Sequence, residues 1–68
     1  MSSPTDLNEL KGKTGIAQTV LRPGGKIVVE GEVYDAITEN GFIEKDEKVI
    51  VLKVESAQLY VEILDSYP

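Results

Sequence analysis

TVLRPGGKIVVEGEVYDA, residues Thr19 to Ala36, carries both the punctuation and the alternation that decide the fold class. In Lys26-Ile27-Val28-Val29-Glu30 the charged ends share one side with Val28, and Ile27 and Val29 point the other way, because successive strand side chains alternate. That alternation assigns Ile27 and Val29 to a core and Val28 to the outside. Gly31 then interrupts what would otherwise be one long ribbon, as a glycine does where the chain must bend. At the front of the stretch, Arg22-Pro23-Gly24-Gly25 places Pro second and Gly third, which predicts a type II turn with Gly24 at positive φ. A phosphate cradle would need backbone N–H groups converging on a helix N-terminus and a Lys followed by Ser or Thr; here a strand follows.

Outward from this stretch the period stays at two. Between Gly15 and Leu21, Gln18 marks the outer side with Ile16 and Val20, and Ala17, Thr19 and Leu21 are expected to face the core with Gly15. Gln58 to Ile63 sends Leu59, Val61 and Ile63 inward and Tyr60 outward. In Lys48 to Glu55 the polar ends demand Leu52 and Val54 inside, whereas Val49 and Val51 belong to the opposite phase. A β-bulge near Val51 or Leu52 would turn both pairs inward. Five strands result, about Gly12–Leu21, Lys26–Glu30, Glu32–Thr38, Lys48–Glu55 and Gln58–Ile63, with Ser56-Ala57 as a two-residue hairpin and no helix of three turns. Short strands with tight connections favour a small closed all-β barrel, since closure removes the unpaired edges that invite aggregation.

Composition narrows the chemistry. A chain of 68 residues makes one domain and buries only about 60% of its unfolded surface, so a deep catalytic cleft is not expected. With no cysteine and no histidine, disulfides, thiolate nucleophiles, the usual zinc ligands and the commonest general base are excluded. Seven basic against twelve acidic side chains give a net charge of −5, the wrong sign for a surface that neutralises phosphates. No apolar run reaches the 18 or so residues of a membrane span, and MSSPTDLNEL lacks a signal-peptide layout, which predicts a soluble chain. Residues 1–9 read as a mobile lead-in, with Asp6 placed to cap a turn holding Leu7 and Leu10; residues 10–64 form the barrel, and 65–68 a tail.

Catalytic, metal and cofactor sites find no support in the residues. Asp35, Glu39, Glu44, Asp46 and Glu47 are interspersed with Lys45 and Lys48, and no calcium-loop spacing occurs, so these read as a solvated charged loop. Ser2, Ser3, Ser56 and Ser66 lie in tails or a hairpin turn with no base beside them.

From Leu10 to Leu64 the chain resembles the C-terminal soluble domain of the NfeD family. The matching elements are Gly12-Lys13-x-Gly15-x-Ala17, Leu21-Arg22-Pro23-Gly24-Gly25-Lys26, Gly31 followed by Tyr34-Asp35-Ala36, Gly41-Phe42-Ile43-Glu44-Lys45 and Val49-x-Val51. The resemblance implies a five-stranded OB-fold-like barrel without the usual helix between its third and fourth strands, in keeping with the short loop Glu39 to Glu47. It further implies a parent protein with membrane-spanning helices, stomatin-like membrane partners, a role in membrane protein quality control and a placement on the cytoplasmic side. Asp46 stands where the family commonly has glycine, and an Asp tolerates left-handed backbone better than most residues. Tyr34 stands where a larger aromatic is common; it is assigned inward with Ala36, leaving Val33 and Asp35 outside, Asp35 within reach of a backbone N–H.

The outward apolar residues Ile16, Val20, Val28, Val33, Ile50 and Tyr60 are the candidate partner-binding set. The first four, on sequential strands, are expected to form one patch of the kind that marks a protein interface. The favoured reading is a non-enzymatic protein-interaction module with no cofactor and no small-molecule substrate. The alternative is an OB-type single-stranded nucleic-acid-binding domain, which would need aromatics in a basic groove; four aromatics, with Tyr67 in the tail and Phe42 expected to be buried, and the negative charge argue against it. A biotinyl- or lipoyl-type carrier is weaker still, because Ser56-Ala57 stands where a modified Lys would be.

Overall fold

The computed structural model describes residues 7–39 and 41–66. Asp6, with the rest of 1–6, and Tyr67 lie outside the described residues. Five strands, β1 (Thr14–Ala17), β2 (Gly24–Val29), β3 (Glu32–Thr38), β4 (Lys48–Glu55) and β5 (Gln58–Ile63), close into a barrel in the order β1-β2-β3-β5-β4. All neighbours are antiparallel except β3 and β5, which run parallel with Ile37 opposite Tyr60; β1 meets β4 to shut the barrel, with Ile16 opposite Lys48. This is the topology of the OB fold. Short 3₁₀ turns at Leu7–Leu10 and Leu64–Ser66 flank it, and no described helix is long and apolar enough to cross a membrane.

Alternation sorts the side chains as the pattern demands. Ala17, Leu21, Ile27, Val29, Ala36, Val49, Val51, Leu59 and Val61 are buried, joined by Leu10 and Ile43 and by the polar Thr38. Tyr34, Val54 and Ile63 pack against that core from its margin. Leu7 does so too, within the stretch expected as a mobile lead-in. The β4–β5 register shifts between Val51 and Lys53, so the predicted bulge is present. It turns Val49 and Val51 inward and restores Val54 to the core side, but Leu52, expected inside, is the residue spent on the bulge and stays half-buried, outside the core cluster.

Three expectations at the β1–β2 connection are corrected. β1 ends at Ala17, because the N–H groups of Gln18 and Thr19 both donate to the carbonyl of Lys26, so one residue is extra on this strand. Thr19, expected to face the core, is exposed as a result; its Oγ1 accepts from the Lys26 N–H at 3.0 Å and donates to the Val20 carbonyl at 3.0 Å. The turn is not type II. Gly24 does not adopt a positive φ; it already belongs to β2, opposite Ile37, and the reversal is made by Arg22 and Pro23, whose peptide bond is cis. Leu21, expected at the end of the first strand, lies beyond β1 and forms an isolated antiparallel bridge with Ile43 instead.

The two hairpin turns are local in origin. Glu30-Gly31 takes φ of 53° and 84°, and Ser56-Ala57 takes 52° and 63°, the paired positive values that match the twist of flanking strands. Asp46, at φ 74°, occupies left-handed backbone as its residue type allows. Residues 39–47 connect β3 to β4, and no helix occurs among those described.

Candidate interaction surface

The register of β4, β1, β2 and β3 sets one row of outward side chains across four strands. Lys48 faces Ile16, Ile16 faces Val28, and Val28 faces Val33. Directly opposed residues lie about 4.5–5.5 Å apart at Cβ, so Ile16, Val28 and Val33 are in side-by-side contact range. Ile16 and Val33 are 39% and 49% exposed, and Val28, between them, is half-buried. Ile50 sits on the flank of the row, opposite Thr14 two pairs further along the seam. Beside Ile16 a groove of about 430 Å³ opens, with Thr14, Val28, Glu30, Lys48 and Leu64 among its walls.

The row is framed by charge pairs. Lys13 Nζ donates to Glu30 Oε2 at 3.0 Å on one side, and Lys26 Nζ donates to Asp35 Oδ1 on the other. Asp35 therefore spends its carboxylate on a cross-strand lysine, not on the backbone N–H expected, because Lys26 stands directly opposite it in the register. All four side chains are largely exposed, so these pairs add little stability. Their consequence is a rim without a dominant sign.

Two members of the candidate set lie elsewhere. Val20 is 41% exposed but falls in the irregular segment after β1, at the level of Gly25, about 10 Å along β2 from Val28. Tyr60 faces Ile37 and Lys53 on another part of the wall, where the Lys53 ammonium lies 5.1 Å from its ring centroid. Phe42, expected to be buried, is 49% exposed. Its neighbour Ile43 takes the core position through the bridge with Leu21, and that pairing sets Arg22 over the Phe42 ring, 5.9 Å from the centroid. Leu64 was also missed: nothing in the local pattern brings the end of β5 beside β1. A lone Phe between Gly and Ile reads equally well as core or surface.

Fold and surface together define a small OB-type barrel domain with an exposed apolar row across its wall. Residues 7–62 match the NfeD-like C-terminal, partner-binding domain, and the chain belongs to that family. It is 45% identical over 53 residues to membrane protein NfeD1b of Bacillus subtilis, covering 78% of this chain and only 12% of that protein. The C-terminal domain of a stomatin operon partner protein from Pyrococcus horikoshii superposes with a TM-score of 0.75 at 41% identity, over 78% of this chain and 84% of that one. The soluble domain of the NfeD protein YuaF from Bacillus subtilis gives 0.74 at 23% identity, over 84% and 76%, and shares the fold.

Proposed function

We propose that the chain is the docking module of a membrane-anchored NfeD-type protein, acting without catalysis, and that it binds a stomatin-like partner through Ile16, Val28 and Val33 with Ile50 on the flank. The observation that carries this reading is the continuous apolar row held open on three hydrogen-bonded strands, β1, β2 and β3. Such a wall is rigid, so little conformational freedom is lost on docking. The Pyrococcus relative is described as a stomatin operon partner and the Bacillus relative as a membrane protein, which supports a membrane setting; the cytoplasmic side and a part in membrane protein quality control belong to the proposal through the family resemblance alone. Val20 and Tyr60 lie off the row and are not required for docking. The rim, with no excess of positive charge, does not favour nucleic acid.

A backbone NMR titration of the labelled chain tests this, with a stomatin-like protein in one tube and a short single-stranded oligonucleotide in another. Signals of Ile16, Val28 and Val33 are expected to move with the protein, and a folded Val28→Lys/Val33→Lys double variant should no longer bind. Shifts with the oligonucleotide alone would overturn the reading.

A further inference from the structure

A second groove, of about 380 Å³, opens on the outer side of the same β2–β3 hairpin beyond the Lys26–Asp35 pair, with Pro23, Gly24, Ile37 and Gln58 in its walls. Two independent features meet there. Gln58 Oε1 is closed from solvent and has no hydrogen-bond partner among the described residues, although buried acceptors are nearly always paired. Its terminal torsion is broad and soft, so a small rotation offers the amide to the groove. Gly24 is the other feature. Each of the remaining five glycines either adopts a left-handed φ or has backbone within 2.5 Å of where a Cβ would lie. Gly24 has neither need: its φ is not positive, and a Cβ would meet only the Ala36 carbonyl at 3.9 Å and the Ile37 side chain at 4.0 Å. The chain leaves bare backbone where its own packing would accept a side chain, and bare glycine is what lets another backbone approach closely.

We infer that this groove receives an extended peptide segment of a partner protein, whose N–H donates to Gln58 and whose small apolar side chain rests on Gly24 and Ile37. The groove lies on the face where OB barrels take oligonucleotides or oligosaccharides, strands 2–3 with the loops at their ends. Among the described residues that line it, the one lysine is paired with Asp35 and none is aromatic. Phosphates and bases are therefore poorly served, and a neutral amide backbone is well served.

Phage-displayed random twelve-residue peptides, panned on the full chain, are the probe. Recovered peptides are expected to move the Gly24 and Ile37 amide signals and the Gln58 side-chain NH₂. Gly24→Val, which fills the groove, should weaken them at least tenfold with no fall in Tm. Gln58→Leu should raise Tm, by removing the orphan acceptor, and still weaken the peptide; a purely structural Gln58 would lower Tm instead. The proposal is overturned if no peptide is enriched, if recovered peptides bind Gly24→Val and Gln58→Leu as tightly as the unaltered chain, or if a twelve-nucleotide oligothymidylate moves these signals and the peptides do not. It is equally overturned if sedimentation shows self-association that Gly24→Val abolishes, which would give the groove to a second copy. No stomatin-like protein enters this experiment, so its failure leaves the docking row standing, and failure of the row leaves the groove untouched.

Discussion

The β2–β3 and β4–β5 hairpins share a two-residue turn with positive φ at both positions, yet they perform opposite tasks. β2 and β3 pair six residues deep without a register break, from Gly24 opposite Ile37 to Val29 opposite Glu32. β4 and β5 pair just as far but slip between Val51 and Lys53. The slip lets β4 serve both β5 and β1 and so bend around the core. Sheet closure needs such a bend somewhere. Concentrating it in β4 leaves β2–β3 regular, and that regular hairpin carries Val28 and Val33 of the apolar row and most of the walls of the second groove. On the bent hairpin, by contrast, the outer aromatic Tyr60 is covered by Lys53. The difference teaches that a barrel this small separates the strand that pays for closure from the strands that present a surface.

The contrast can be broken at several points, of decreasing consequence. Gly15→Val strikes the seam on which the β2–β3 hairpin rests: a Cβ there would lie 2.3 Å from the Val28 carbonyl oxygen and 2.8 Å from Val29 Cγ2. A loss of about 3 kcal/mol or more is expected, read as a melting temperature lower by over about 12 °C. Retained stability would mean that β1 and β2 are less closely apposed.

Gly31→Val acts on the turn of the regular hairpin, where φ is 84°. Left-handed backbone costs an L-residue about 1–2 kcal/mol, and more for a β-branched one, so thermal unfolding should come earlier by about 4–8 °C per kcal/mol. An unchanged transition would refute the bend. On the other hairpin the sign reverses. Ala57 already holds φ 63°, and Ala57→Gly should gain about 0.5–1 kcal/mol, relief of the left-handed strain less the added chain entropy. Urea unfolding would measure it, and a lower midpoint would contradict the assigned turn.

The smallest stability effect is expected for Val28→Lys, on the outer face of β2, within about 0.5 kcal/mol of the unaltered chain. Unfolding of this variant would show inside and outside to be reversed. Its stability sharpens the contrast only beside loss of partner binding, the pairing that distinguishes a presented surface from a structural one.

Much of this architecture was legible in the residues. The boundaries of β3, β4 and β5 coincide with the alternation, and the bulge in β4 was forced by a phase conflict that any reader can count, Val49 and Val51 against Leu52 and Val54. The extra residue after β1 left no such trace. Gln18 and Thr19 are both tolerable outside, so a continuous strand to Leu21 and a broken one predict nearly the same pattern, and only the shared hydrogen bond to the Lys26 carbonyl separates them. Phe42 and Ile43 present the same difficulty: two adjacent apolar residues in a loop compete for one core position, and the bridge to Leu21 decides for Ile43.

The candidate surface divides along the same line. That Ile16, Val28 and Val33 point outward follows from the period of two, a property of each strand alone. That they touch one another, whereas Val20 and Tyr60 stand apart, depends on register between strands, which is fixed by bulges and turn geometry acting across the whole barrel. The bareness of Gly24 and the unmade bond of Gln58 are further from the sequence still, since each is defined by what neighbouring strands fail to supply. Local side-chain chemistry thus determined most of the strands and their faces, the bend at Gly31, the hairpin at Ser56-Ala57 and the family; only the closed barrel decided where β1 ends and which outward residues are neighbours, because contact between strands is set by register, and register is a property of the assembled sheet.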